Sequence, residues 1–149
     1  MKKTFAQSLA ESGRNVRVIY VSSYIPRECG IATFTKDLTS SINVLNPLYL
    51  SEIVAVDVID SVYDYPWEVK FRFEQDNRDS YVAAAKYVNQ SSAEIIMLEH
   101  EFGLYGPGSG GNIVHFLSAL KKPVVTTFHT VLRQPSEEQK LIMQAVAKR

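Results

Sequence analysis

Five short apolar runs recur along this chain, at residues 16–21, 53–59, 69–73, 94–98 and 123–128. Between most of them the apolar spacing changes from strand-like to helical. Ile31, Phe34, Leu38 and Ile42 fall on one helix face; so do Tyr81, Ala84, Ala85 and Val88, and later Ile113, Phe116, Leu117 and Leu120. Strands that alternate with helices pair in parallel, because each helix carries the chain back to the starting edge of the sheet. The pattern predicts an α/β three-layer sandwich with a parallel sheet. Right-handed crossovers make 3-2-1-4-5 the expected strand order, which sets the loops after strands one and four side by side where the order reverses.

The boundaries carry their own signals. Asn46 and Pro47 end the first helix, Asp79 is the expected N-cap of the second, and Ser136 with Gln139 has capping-box spacing before the last. That last helix carries a stripe of Leu141, Ile142, Ala145 and Val146 and meets no stop signal before Arg149, the pattern of a segment taken from a longer chain. Residues 1–15 read as an N-terminal extension and 16–149 as one domain, a length that fills one core and not two. A hydrophobic fraction of 46% places the chain among folded globular domains and not among disordered tails.

Sixteen basic residues balance sixteen acidic ones, which argues against a nucleic-acid partner. A single cysteine, Cys29, excludes an internal disulfide and fits a reducing compartment. No stretch is long and apolar enough to span a bilayer, and the N-terminus lacks a signal-peptide core. The expected location is the cytoplasm, with peripheral membrane attachment left open.

The fourth run, E-I-I-M-L, empties into Glu99, His100 and Glu101 and then into a loop with Gly103, Gly106, Gly108, Gly110 and Gly111. A buried strand that ends in charge and glycine faces a cleft, since ligands of open α/β sheets bind at the strand carboxyl ends. Residues 24–30 and 99–111 are the expected walls, with His129 nearby at the end of strand five. G-x-G-x-x-G and G-x-x-x-x-G-K-[ST] are both absent, and strand one ends in Ser22 and Ser23 in place of acids. These absences argue against a dinucleotide fold, a P-loop NTPase and a phospho-receiver. Cys29 with His129 lacks a third member or an oxyanion arrangement, so a cysteine hydrolase is not favoured.

Three segments carry a resemblance: P-R-E-C-G-I-A-T-F-T-K-D-L from Pro26, L-E-H-E-F-G-L-Y-G from Leu98, and P-V-V-T-T-F-H-T from Pro123. Together, in this order at these strand ends, they resemble the N-terminal domain of retaining glycosyltransferases of family 4. Those enzymes have the GT-B fold, two Rossmann-like domains facing across a cleft. The resemblance implies a Rossmann-like domain on the acceptor side, without a cofactor, in an enzyme that uses a nucleotide-diphospho-sugar as donor substrate. Its acceptor would be a glycan, a lipid-linked sugar or a small molecule. The groups that grip the donor lie in a C-terminal domain absent from this chain, which implies that the chain is inactive alone.

Residue by residue, the resemblance puts Arg27, Cys29 and Gly30 in the loop under the donor phosphates; many members have two adjacent glycines where this chain has Cys29 and Gly30. It implies a catalytic-site role for His129, lining the acceptor pocket near the reacting sugar, and an acceptor-side role for His100. A neutral imidazole suits such a place because it donates to one oxygen and accepts from another. Tyr24, Glu99, Glu101 and Gly103 complete the expected acceptor wall. Alternation along an extended segment keeps Glu99 and Glu101 from both joining His100, which argues against a metal site. Tyr63, Tyr65 and Trp67 either stack on an acceptor sugar or cover the sheet edge. His115 reads as structural or solvent-facing. The competing reading is a self-standing carbohydrate- or nucleotide-binding α/β module without catalysis.

Overall fold

The computed structural model describes residues 15–149. Strand β1 spans Val18–Ser22, β2 Glu52–Asp57, β3 Val69–Glu74, β4 Ile95–His100 and β5 Val124–Phe128. Helix α1 spans Gly30–Leu45, α2 Arg78–Gln90, α3 Ile113–Ala119 and α4 Glu137–Ala147, with one extra helical turn at Pro107–Gly110. All four strand pairings are parallel, and the order is β3-β2-β1-β4-β5, as the crossover argument predicts. This is a Rossmann-like α/β fold.

The strands bury both faces unequally. Ile19, Val21, Val54, Val56, Ile96 and Leu98 point to the face covered by α2, α3 and α4, which holds the main core. Tyr20, Ile53 and Ala55 point to the opposite face, under α1 and the β2–β3 crossover. Strand alternation explains the division, since every second side chain changes face.

Helix α1 meets the sheet differently from its apolar stripe. Its buried residues are Ala32, Thr35 and Thr39, whereas Phe34 is 41% exposed and Ile31, Leu38 and Ile42 are half-buried. Small side chains let the helix approach closely, and the hydroxyls are satisfied. Thr35 Oγ1 lies 2.7 Å from Ser22 Oγ, and Thr39 Oγ1 donates to the Thr35 carbonyl at 2.8 Å. The caps differ in one place. Asn77, not Asp79, caps α2 by accepting from the Asp79 amide at 3.1 Å, which leaves Asp79 in the first turn where negative charge is favoured. Ser136 and Gln139 form the reciprocal capping box of α4. In α4, Ile142 and Val146 are buried while Leu141 is 64% exposed. Arg149, beyond the end of α4, donates to the Leu120 carbonyl. No helix of the described residues is long and apolar enough to cross a membrane.

A polar network fastens α1 to the crossover. The Tyr24 hydroxyl and the Lys36 ammonium each donate to Glu68 Oε1 at 2.9 Å. Burial alone would push the Glu68 carboxyl up, but the bonds from Lys36 and Tyr24 outweigh it and hold the carboxyl below its ordinary value. The bond to Glu68 holds Lys36 above its ordinary value. The network therefore contributes stability while Glu68 is ionised and Lys36 protonated. That contribution disappears as pH falls through the lowered carboxyl value, or rises through the raised ammonium value. Glu68→Gln should cost about 1 kcal/mol at neutral pH and flatten the loss of stability below about pH 4.5, read by urea denaturation across pH. Identical acid limbs for the two proteins would show that the pair does not form in solution.

Candidate functional site

The loops after β1, β4 and β5 leave neighbouring strands at one end of the sheet. What each side chain does there follows from register. Glu99 pairs with Thr127 and His100 with Phe128, so β4 continues through the two charged-type residues that the apolar pattern excludes from it. His100 shares a face with Leu98, inside the main core, while Glu99 shares one with Met97, on the α1 side. His129 follows Phe128 by one residue and joins Glu99 on that same side.

Glu99 and His129 form the centre of the site. Glu99 Oε2 lies 2.8 Å from His129 Nε2; the carboxylate side chain is fully buried and the imidazole is 15% exposed. The other oxygen, Oε1, is buried without a hydrogen-bond partner. Phe34, in the second turn of α1, packs edge-on to the His129 ring, with centroids 4.8 Å apart at 85°. The His129 amide donates to the His100 carbonyl at 2.9 Å, which continues the β4–β5 ladder one residue past the strand. Beside it, Thr130 donates to Glu101 Oε2 at 2.7 Å. Glu99 and Glu101 thus both reach the β5 loop, and neither reaches His100.

Helix α1 begins beside this pair. Cys29 is its N-cap: Sγ accepts from the Ala32 amide at 3.4 Å and lies 3.1 Å from Ser23 Oγ. Among the described residues, no protein acceptor is bonded to the amides of Gly30 and Ile31, the orphan donors of a helix start. A Cβ on Gly30 would meet no atom within 4 Å, so packing does not demand glycine here. Arg27 donates to the Val56 carbonyl at 3.1 Å, which ties the loop to β2.

The glycine-rich loop is largely structural. Gly106 has φ +89°, and a Cβ there would stand 2.5 Å from the Gln75 carbonyl. The loop needs glycine to lie against the β3–α2 connection, and Asn112 bonds the same carbonyl at 3.0 Å. Gly103 is exposed, and a Cβ on it would meet nothing. Folding back in this way buries Tyr105 completely. Its hydroxyl reaches the Val21 carbonyl at 3.1 Å and the Glu99 carbonyl at 2.7 Å, spanning the ends of β1 and β4.

No protein-family model, curated protein or solved structure matches this chain.

Several residues expected on the cleft wall lie elsewhere. His100 is fully buried among Phe102, Tyr105 and Phe128, with neither ring nitrogen bonded, and burial pushes its pKa below the ordinary histidine value. Alternation sends it into the core because Glu99 takes the α1 side. Tyr24 is 1% exposed and committed to Glu68. Tyr65 donates to the buried Asp57 at 2.6 Å and packs in the smaller core, with Tyr63 against it. Trp67, 60% exposed, stands at the start of β3, beside Arg17, Tyr49 and Lys70 at the amino ends of the strands. The connection from β2 to β3 crosses without a helix, so its far end returns to the opposite pole. His115 is exposed on α3.

Phe34 and Tyr105 escaped sequence reasoning. Phe34 read as core from its helical spacing, and Tyr105 sat unmarked inside a glycine run. Tyr105→Phe keeps the ring but removes the hydroxyl shared by two buried carbonyls. It should cost about 1–3 kcal/mol in denaturant unfolding with little change in m-value. Unchanged stability would show that water replaces the hydroxyl.

Proposed function

We propose that this chain is the acceptor-side domain of a GT-B glycosyltransferase resembling the retaining enzymes of family 4. The complete enzyme would move a sugar from a nucleotide-diphospho-sugar to the hydroxyl of a glycan, a lipid-linked sugar or a small molecule. One observation carries the reading: Phe34 packs α1 against His129, so the start of a sixteen-residue helix and a strand-end histidine sit together at the switch point. A diphosphate leaving group needs oriented donors, and a helix start whose first amides are unbonded offers them. A sugar needs a group that exchanges hydrogen bonds with hydroxyls, and a partly exposed imidazole offers that. Gly30 supports the same reading, because space left open without a packing reason is what a phosphate approaching the backbone requires.

Gly30→Ala is the sharper test. Alanine outranks glycine in helices by up to about 1 kcal/mol, so the melting temperature should hold or rise. In a protein that joins this domain to a donor-binding domain, binding of UDP-, GDP- or ADP-sugars should weaken by about tenfold or more as the methyl shields the amides. Equal binding by wild type and Gly30→Ala would remove the loop from the site. In a protein that joins this domain to a donor-binding domain, His129→Ala should lower turnover by about a hundredfold or more, the scale of losing one transition-state contact. Binding without any turnover in that joined protein would favour the self-standing binding module instead.

A further inference from the structure

We propose that Glu99 is a positioning residue that gives the two ring nitrogens of His129 separate tasks: Nε2 is held by the protein, and Nδ1 is the atom offered to a ligand hydroxyl. The inference rests on the reading of His129 as a ligand-facing residue, and it adds which atom does the work and what kind of group it meets.

The argument begins with an unusual burial. A carboxylate placed out of water is costly unless paired, and Glu99 is fully buried with neither lysine nor arginine in contact among the described residues. Its one hydrogen-bond partner among the described residues is His129 Nε2, at 2.8 Å. The remaining oxygen has none. A glutamine would fill the same space without the charge, and it would accept from Nε2 or donate to it with equal ease. An ionised carboxylate only accepts. The hydrogen between the two residues must then sit on Nε2, and whenever the ring is neutral its lone pair lies on Nδ1.

The rest of the surroundings keep the ring from exchanging those nitrogens. Phe34 bounds it edge-on at 4.8 Å, and the His129 amide is anchored to the His100 carbonyl at 2.9 Å. No protein group bonds Nδ1 among the described residues, and the ring retains 15% exposure. A free lone pair at the edge of a cleft accepts from a donor. Between the sugar and the diphosphate of a nucleotide sugar, the hydroxyls donate and the phosphate oxygens do not. Nδ1 therefore selects the hydroxyl-bearing part of the ligand, while the α1 start is left to the phosphates.

The test reads the ring directly, in the chain without ligand. Histidine ring 15N shifts are measured at alkaline pH with the rings neutral, and the His129 signals are assigned by their absence in His129→Gln. The expected spectrum has a protonated Nε2 and an unprotonated Nδ1 at His129. Glu99→Gln should give a mixture of the two tautomers at a nearly unchanged melting temperature. A wild-type ring protonated on Nδ1, or a folded Glu99→Gln protein with the wild-type pattern, overturns the proposal. If Glu99→Gln fails to fold, the wild-type tautomer decides alone.

A second arm uses amides as partial mimics of the ring. Asparagine places its amide near the Nδ1 position, and glutamine reaches the Nε2 position. His129→Asn should retain nucleotide-sugar binding within a few-fold, while His129→Gln should lose about tenfold or more, and the reverse ranking overturns the assignment. The tautomer is read without ligand or turnover, so failure of the glycosyltransferase reading and failure of this inference are separate outcomes.

Discussion

The Tyr105 hydroxyl spans the carbonyls of Val21 and Glu99, and the geometry of the cleft depends on that contact. Val21 and Glu99 lie near the carboxyl ends of neighbouring parallel strands, and a buried carbonyl is stabilised by the donors it meets. Here a phenol from the loop following β4 shares its one proton between a carbonyl near the end of β1 and one near the end of β4. The loop must fold back sharply to deliver it, which explains a glycine at Gly106 where a Cβ would collide with Gln75. Burial pushes the Tyr105 hydroxyl well above its ordinary value, so it stays a donor throughout the physiological range. The loop expected to bind a ligand is thus first a clamp on the switch point.

With the strand ends fixed, the rest of the site follows from alternation. Glu99 turns to the α1 face and His100 to the core, and one residue beyond β5 His129 turns to meet Glu99. Glu101 repeats the arrangement with Thr130. Two acid-to-loop contacts in succession tie the β4 end to the β5 end where the strand pairing runs out. The cleft wall is therefore held by side chains as well as by the sheet, and its histidine is positioned on three sides before any ligand arrives.

The two poles of the sheet differ in character. At the carboxyl pole Glu99 is engaged with His129 and Glu101 with Thr130. At the amino pole Val44, Leu45, Leu48 and Trp67 are all more than half exposed. Lys70 lies over the Trp67 ring at 5.0 Å, and Arg17 over Tyr49 at 4.6 Å. An aromatic loop that began at the carboxyl end of β2 accordingly finishes far from the cleft, and its members divide between the two poles.

The sequence by itself determined the architecture. Period-two runs alternating with period-3.6 segments admit few arrangements, and chain chirality reduces those to the strand order observed. It also determined the helix ends that rest on local chemistry, such as the Ser136–Gln139 box, because a cap is completed within four residues. Only the tertiary structure decided which side chains meet. Glu99 and His129 are thirty residues apart, and their contact depends on the register between β4 and β5, which no local pattern encodes. The same register carried His100 into the core, and the helix-free crossover carried Trp67 to the far pole. Periodicity shows that a residue belongs to a strand; the facing strand and the path of the connection decide what that residue touches.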